Sequence, residues 1–461
     1  MDAEAVDSTI KEIIPRGQLF PECSLSGEGK ADGAQPAHAS GLQLSKDRFI
    51  LFYSTRGFRG RDDEWSSVYQ IRADSWTGRI LKEGYISQTS NEWDALGDGR
   101  KFVFQNGHAT GFGVPKGAIV DGRRVSNENH FVAMWRIVAR VRNPETGHVY
   151  WESADEDSYR RTTDCLWMQF RLNDAEDDIE ILQTARKLRQ SGYEESGQIC
   201  ADPSLKVICK GFVPAVPMNP DHTEWVDMNS TNGDGDCEIQ FTKKTGRVVP
   251  FKYRWNISKK LYEWVDTGTP LGPDLFEGAI APWNGGYVIA SRMVGHNELN
   301  VVTWCRTDDP FQNSAKIIKR HDQPNWCPFT LFTGPDGRLY RLGGCSERSY
   351  FKYGRDPLFM VRIDPERDFE AIEHRKVFSA IRTPDLEFSK VPTVDFGKML
   401  PHLGGTEQTV VHRVHSTAVW ANPEEPYQLQ KIDILNSGIY YETIRYKEPQ
   451  PPMWQFTNAN N

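Results

Sequence analysis

Apolar and polar positions alternate along this chain over short runs, and the runs are rich in Val, Ile, Phe, Tyr and Trp. Successive side chains of an extended strand point to opposite faces, so a period of two predicts strands with one buried face. Clusters of Gly, Pro, Asp and Asn separate the runs, as tight turns require. Helical periodicity is almost absent, which makes the predicted fold class all-β.

The runs group into a larger unit that recurs every roughly 45 to 80 residues, the period of a four-stranded propeller blade. GLQLSKDRFILFYSTRG followed by SSVYQIRADSWTGRILKEG is one copy. GAIAPWNGGYVIASRMVG with NVVTWCRTDDPFQNSAKIIKR, and FTLFTGPDGRLYRLGGC with PLFMVRIDPERDFEAIEHRKVF, are two more. Less regular copies fill 101–190, 196–266 and 395–448. The expected architecture is a β-propeller of about six (five to seven) four-stranded blades, one domain over 1–461. A strand near Glu12–Ile14 is expected to pair with the last blade and close the ring, which removes exposed sheet edges. GFGVPKGAIVDGRRVSNEN reads as a loop insertion near 107–130, a feature that rigid scaffolds often use for function.

Composition narrows the partners. The 461 residues carry a formal net charge of -8, which argues against nucleic acid and anionic membrane, since both need a basic footprint. No apolar run reaches the roughly 18 residues of a membrane span, and the first residues show no basic and then apolar leader. The expectation is a soluble chain, with its compartment and oligomeric state left open. Eight cysteines without a CxxC pair read as small buried hydrophobes.

Within this acidic chain, cations stand near the ends of the first two strands of nearly every blade: Arg56, Arg136, Lys210, Arg292, Arg341 and Arg413. Converging guanidinium groups would clamp a carboxylate or sulfate through paired hydrogen bonds. EGAIAPWNGGYVIASR, with Glu277 and Arg292 across one hairpin, resembles the sialidase-like propeller superfamily. In that family the glutamate polarises a nucleophilic tyrosine and the arginine holds the substrate carboxylate. FYSTRGFRGRDDEW resembles the stretch in which an arginine precedes the acid of catalysis, which implies Arg56 and Asp62 or Asp63 in those roles. The chain departs from the family where His38 of PAHASG replaces an arginine, and where Trp326 and Cys327 replace the tyrosine.

His38 in HASG and His108 in HATG head equivalent strands, with His130 following across the insertion. This resembles the propeller polysaccharide lyases of the ulvan and rhamnose-glucuronate type, in which histidines abstract a proton beside an arginine-bound carboxylate. Tyr53, Tyr69 and Tyr193 are available as partners. No cofactor is required by either chemistry. DMNSTNGDGDCE reads as a turn, and oxygens at Asp227, Asn229, Thr231 and Glu238 are spaced for a structural calcium. Three functions stay open: a glycosidase acting on an acidic (sialate or uronate) oligo- or polysaccharide, a lyase of such a glycan, and a non-catalytic glycan-binding propeller.

Overall fold

The structure, a computed structural model, describes residues 8–20, 35–56, 64–87, 103–125, 130–142, 149–150, 164–183, 188–189, 192–193, 207–210, 214–232, 246–269, 271, 275–293, 301–312, 316–321, 323, 329–344, 356–380, 393–415 and 438–457. It is all-β, and a short 3-10 turn at Pro365–Arg367 is the helical element among the described residues. Among the described residues no helix is long and apolar enough to cross a membrane.

β1 spans Ile10–Phe20. The first sheet follows as β2 (Gln35–Ser45), β3 (Arg48–Arg56), β4 (Glu64–Ala73) and β5 (Ile80–Ser87). β6 (Val103–Val114) leads through a small hairpin, β7 (Ala118–Val120) and β8 (Arg123–Arg124), to β9 (His130–Arg142), β10 (Val149–Tyr150), β11 (Asp164–Leu172) and β12 (Ile179–Gln183). Strands β6 and β9 to β12 form the second sheet. After a two-stranded ribbon, β13 (Leu188–Arg189) and β14 (Gly192–Tyr193), the third sheet comprises β15 (Val207–Lys210), β16 (Val216–Pro217), β17 (Glu224–Asn232), β18 (Gly246–Asn256) and β19 (Leu261–Thr267). The fourth is β20 (Leu275–Trp283), β21 (Gly286–Met293), β22 (Val302–Thr307) and β23 (Lys316–Arg320). The fifth is β24 (Thr330–Thr333), β25 (Leu339–Gly344), β26 (Leu358–Asp364) and β27 (Glu370–Phe378). In the sixth, β28 (Thr393–Met399), β29 (Gly405–His415) and β30 (Gly438–Gln450) are joined by β1, which runs antiparallel to β30. β31 (Gln455–Phe456) pairs with β7.

Every inter-strand pairing in these sheets is antiparallel, as hairpin connections demand. The alternation read from the sequence places each strand's two faces in different apolar layers. Ile50 and Phe52 of the first sheet pack with Phe131, Trp135 and Phe170 of the second, whereas Phe49, Leu51 and Tyr53 pack with Val411 and Ile439 of the sixth. Further layers join the second sheet to the third, the third to the fourth, the fourth to the fifth and the fifth to the sixth. Each fully buried Phe, Leu or Ile contributes about 1.5–3 kcal/mol, against about 0–1 kcal/mol for exposed ion pairs such as Arg171–Glu180. The layers therefore dominate the stability. This arrangement of twisted antiparallel sheets is that of a β-propeller.

One local device recurs on the first strands. The register of β2 against β3 slips between Ala37 and Ser40, that of β6 against β9 between Gly107 and Thr110, that of β20 against β21 between Phe276 and Ala279, and that of β28 against β29 between Asp395 and Lys398. Each slip is a bulge of two residues: His38–Ala39, His108–Ala109, Glu277–Gly278 and Phe396–Gly397. His38, Glu277 and Phe396 take left-handed backbone angles, with φ of 53°, 56° and 53°. That conformation costs a side-chain-bearing residue about 1–2 kcal/mol, and bulges of this kind re-aim a side chain. The second residue is small because it abuts the preceding sheet. A Cβ on Gly278 would lie 2.2 Å from Val248 Cγ1, and one on Gly397 2.8 Å from Leu342 Cδ2. Past the bulge, Ser40 Oγ donates to the Ala109 carbonyl (2.7 Å), and Thr330 Oγ1 donates likewise to Gly397 O, stitching neighbouring sheets.

Two expectations are corrected here. Asp227, Asn229 and Thr231 do not lie on a turn, because β17 continues through them, with Asp227 opposite Phe251 and Thr231 opposite Arg247. Asp227 is buried and accepts from Tyr253 Oη at 3.3 Å; Glu238 lies outside the described residues. Among the described residues no group of three or more His, Cys, Asp or Glu is placed to hold a metal. Likewise, much of the described stretch near 107–130 is strand rather than loop, since β6 runs to Val114 and β7 and β8 form a hairpin that pairs with β31.

Candidate functional site

The bulges bring chemistry to one end of the first strands. Residues a few positions further along β2, β6, β20 and β28 line a single cavity together with residues of β24 and of the third sheet. The bulges of those four strands therefore lie on one side of that cavity, around one axis.

Arg292 sits opposite Phe276, the residue just before the Glu277–Gly278 bulge. Its guanidinium forms an ion pair with Glu277, so the two residues matched across the hairpin do meet. Both are nearly buried, and among the described residues Arg292 Nε has no hydrogen-bond partner. The arrangement holds a planar donor group at a fixed angle with one N–H unused. Arg292 shares the face of Val288 and Ala290, which pack into the layer between the fourth and fifth sheets. Arg341 shares the face of Leu339 in the same layer and lies over the Phe329 ring at 5.7 Å, so the two arginines approach that layer from opposite sheets.

Arg413 occupies the register of Arg292, opposite Asp395 just before the Phe396–Gly397 bulge. Its Nη1 is 3.0 Å from His38 Nε2, and its guanidinium lies 4.7 Å over the Phe396 ring. His38 meets Phe396 edge-on at 3.9 Å between centroids. Because a guanidinium only donates, His38 Nε2 must accept, which places the proton of a neutral ring on Nδ1.

Other expected residues are distributed differently. Arg136 takes the same register as Arg292 and Arg413, opposite Gly107. In the first sheet that register belongs to buried Ser54, and Arg56 stands two residues beyond, opposite Gln35. Lys210 ends β15, the first strand of its sheet, rather than a second strand. Arg341 is opposite Leu331 and faces backward towards the fourth sheet, so the set of matched cations is smaller than the sequence suggests. His108 takes the bulge position equivalent to His38. His130 is brought to neither: it pairs with Val114 at the opposite end of β6, and its ring lies tilted against Trp255 at 4.6 Å between centroids. Seven residues separate Gly107 from Val114, about 20 Å at a strand's rise. Tyr69 Oη donates to Asp178, and burial pushes its pKa up. Asp62, Asp63, Trp326 and Cys327 lie outside the described residues.

Sequence reasoning passed over Phe396 and underweighted Arg413. Their signal was the small residue after the bulge: H-A, H-A, E-G and F-G recur at equivalent places.

No protein-family model and no curated protein matches the chain. Solved structures do. A protein of unknown function from Dyadobacter fermentans aligns with a TM-score of 0.51 at 10% identity, over 90% of this chain and 96% of that one. Trypanosoma rangeli sialidase in complex with the inhibitor DANA aligns at 0.52 and 10% identity, over 95% of this chain. The alignment spans 58% of the sialidase. The fold is that of a sialidase-like propeller.

Proposed function

We propose that this chain is a single six-bladed propeller, closed by β1, that cleaves a glycosidic bond in an acidic glycan whose sugar carries a carboxylate. The blade count is supported by six apolar layers, each between consecutive sheets and the last returning to the first. The observation that carries the functional reading is Arg292: a buried guanidinium fixed by Glu277, with an unused Nε–H, at the bulged end of the first strands. Arg413, at the matching register of the sixth sheet, is the second carboxylate ligand in this reading. Glu277 is then a positioning residue for Arg292, and Asp62 or Asp63 is the candidate proton donor to the leaving oxygen. Hydrolysis is preferred to elimination because the Nε2 lone pair that His38 would use as a base is already engaged by Arg413.

The test is a panel of fluorogenic sialosides and uronides together with acidic polysaccharides, read by released fluorophore, by reducing ends and by the ultraviolet absorbance of an unsaturated uronate. Hydrolysis of at least one acidic glycoside, lost in Arg292→Ala, is the expected result. Unsaturated product would replace hydrolysis by elimination, and saturable binding without turnover would make the protein a lectin-like propeller.

A further inference from the structure

The two arginines of the proposed anion site are held in different ways. Arg292 is fixed from within its own hairpin, by the carboxylate of the bulge residue Glu277. In the sixth sheet the matching bulge residue is Phe396, whose side chain has no acceptor to offer; Arg413 lies over its ring at 4.7 Å. An acceptor comes instead from the first sheet, which packs against the sixth. His38, the bulge residue of β2, brings Nε2 to 3.0 Å from Arg413 Nη1 and sets its ring edge-on to Phe396 at 3.9 Å.

This meeting depends on both bulges. His38 and Phe396 each hold a φ of 53°, a left-handed angle that side chains avoid unless the surrounding fold imposes it. A two-residue bulge turns each ring out of the alternation of its strand, and here both turn towards one guanidinium. Arg413 is 4% exposed and His38 1%, so the guanidinium is the member of the pair with surface left for a ligand.

We infer that His38 is the positioning residue of Arg413: its neutral imidazole, accepting from Nη1, aims the guanidinium at the carboxylate of the acidic sugar, and the clamp is assembled only while that ring is neutral. The inference rests on the glycan reading of the same site. Protonation would turn Nε2 into a donor and set two cations face to face. Around the ring, Lys398 of β28 is buried opposite Val411 of the same apolar layer, Tyr53 of β3 belongs to that layer, and Asp395 stands opposite Arg413 in register. Further along the layer, Arg72 is grouped with Glu83 and Tyr441. Lys398 and Arg413 both disfavour a positive ring. A carboxylate, by contrast, stays ionised well below the pH at which an imidazole protonates, so Arg292 stays fixed where Arg413 is released.

Ligand-free crystal structures, and ligand-observed NMR titrations with N-acetylneuraminic acid and glucuronic acid, test this on the parent, His38→Phe and His38→Gln. His38→Phe keeps a ring and removes the acceptor, so Arg413 should leave the Phe396 ring and affinity should fall about ten- to hundredfold. His38→Gln returns an acceptor oxygen at similar reach, so Arg413 should stay and most of the affinity should return. From about pH 8 to pH 5 the parent should weaken as its ring protonates, whereas His38→Gln should hold its affinity. Arg413 unmoved in His38→Phe, or one pH profile shared by the parent and His38→Gln, overturns the inference. So does tighter binding by the parent at acid pH, which would make His38 itself a cationic ligand of the acid. If neither acid binds the parent while Arg413 moves as stated, the glycan reading fails and the hold of His38 on Arg413 stands. Thermal melting checks each variant. If His38→Phe does not fold, parent structures at about pH 8 and pH 5 replace it: release of Arg413 at the lower pH is expected, and an unmoved guanidinium overturns the inference.

Discussion

Two buried acid–base pairs, Glu277–Arg292 and His412–Glu442, sit on different ground. Glu277 occupies a left-handed bulge at the end of β20, and its partner keeps a small exposed fraction and an unused donor. His412 and Glu442, 3.0 Å apart, are 0% exposed, sealed between the fifth and sixth sheets with Phe378 and Tyr440 against the imidazole. Burial, the largest influence on Glu442, pushes its carboxyl pKa up, and His412 opposes it. The contrast separates two uses of buried charge. In the proposed function the Glu277–Arg292 pair receives an anion, and its left-handed backbone is tolerated because it aims the side chain. A pair inside an apolar layer has only its partner, so its role is to fix how two sheets meet.

Breaking the sealed pair should have the largest effect. Glu442→Ala is expected to lower unfolding free energy by about 3–5 kcal/mol, because it leaves the imidazole buried without its acceptor. Glu442→Gln should lose only about 1 kcal/mol, since the amide oxygen still accepts from His412 Nε2. Urea unfolding measures both. Ligand binding per folded molecule should not change, and an Ala variant as stable as the parent would remove the structural role.

The open pair should respond in the opposite sense, through binding. Arg292→Ala is expected to weaken the acidic ligand by about 2–4 kcal/mol, roughly 30- to 700-fold. Arg292→Lys should be nearly as damaging, because an ammonium cannot reproduce a planar two-pronged donor. Calorimetric titration with the best glycan of the panel gives both values, and parental affinity in the lysine variant would refute paired hydrogen bonding.

A half-buried imidazole, with no acidic hydrogen-bond partner among the described residues, sharpens the comparison. His222 lies against Trp225 and Trp454 at 5.6 and 5.0 Å, and burial lowers its pKa to about 4, opposed by Asp221 and Asp121. The unfolded ring protonates near 6.5 and the folded ring near 4, so between these values the unfolded chain binds more protons. Its contribution is fully present above about pH 6.5 and is lost as pH falls towards 4, up to about 3 kcal/mol at 1.36 kcal/mol per unit. Melting temperature against pH should be flatter over that interval in His222→Phe. An unchanged profile would show that this ring does not govern acid stability.

The smallest expected effect is at the bulge itself. Gly278→Ala should lose about 1–3 kcal/mol by pressing a methyl into Val248, with a matching fall in melting temperature. Stability equal to the parent would mean that the third and fourth sheets can part there without penalty.

Much of this molecule was legible in its sequence. The alternation and turn residues mark the strands, HASG and HATG do take one register on β2 and β6, and Glu277 does meet Arg292 across its hairpin. These are local relations, set by a period of two and by a turn. The stretch Asp227–Thr231 is strand where a turn was expected, because oxygens at every second residue are equally the pattern of one strand face, and only pairing with β15 and β18 decides between them. His130 was misplaced because a long hairpin carries its second strand's start to the far end.

By itself, then, the sequence determined the class of fold, the repetition of hairpins and the residue types offered at their ends, since all of these follow from backbone geometry over a few residues. Only the tertiary structure decided which layer each face enters. Arg413 meets His38 across 375 residues, and Glu442 meets His412 across 30 residues on the adjacent strand. The cavity exists only where strands of separate sheets meet residues 451–454. No short-range pattern encodes such meetings, because they are set by which apolar faces pack together.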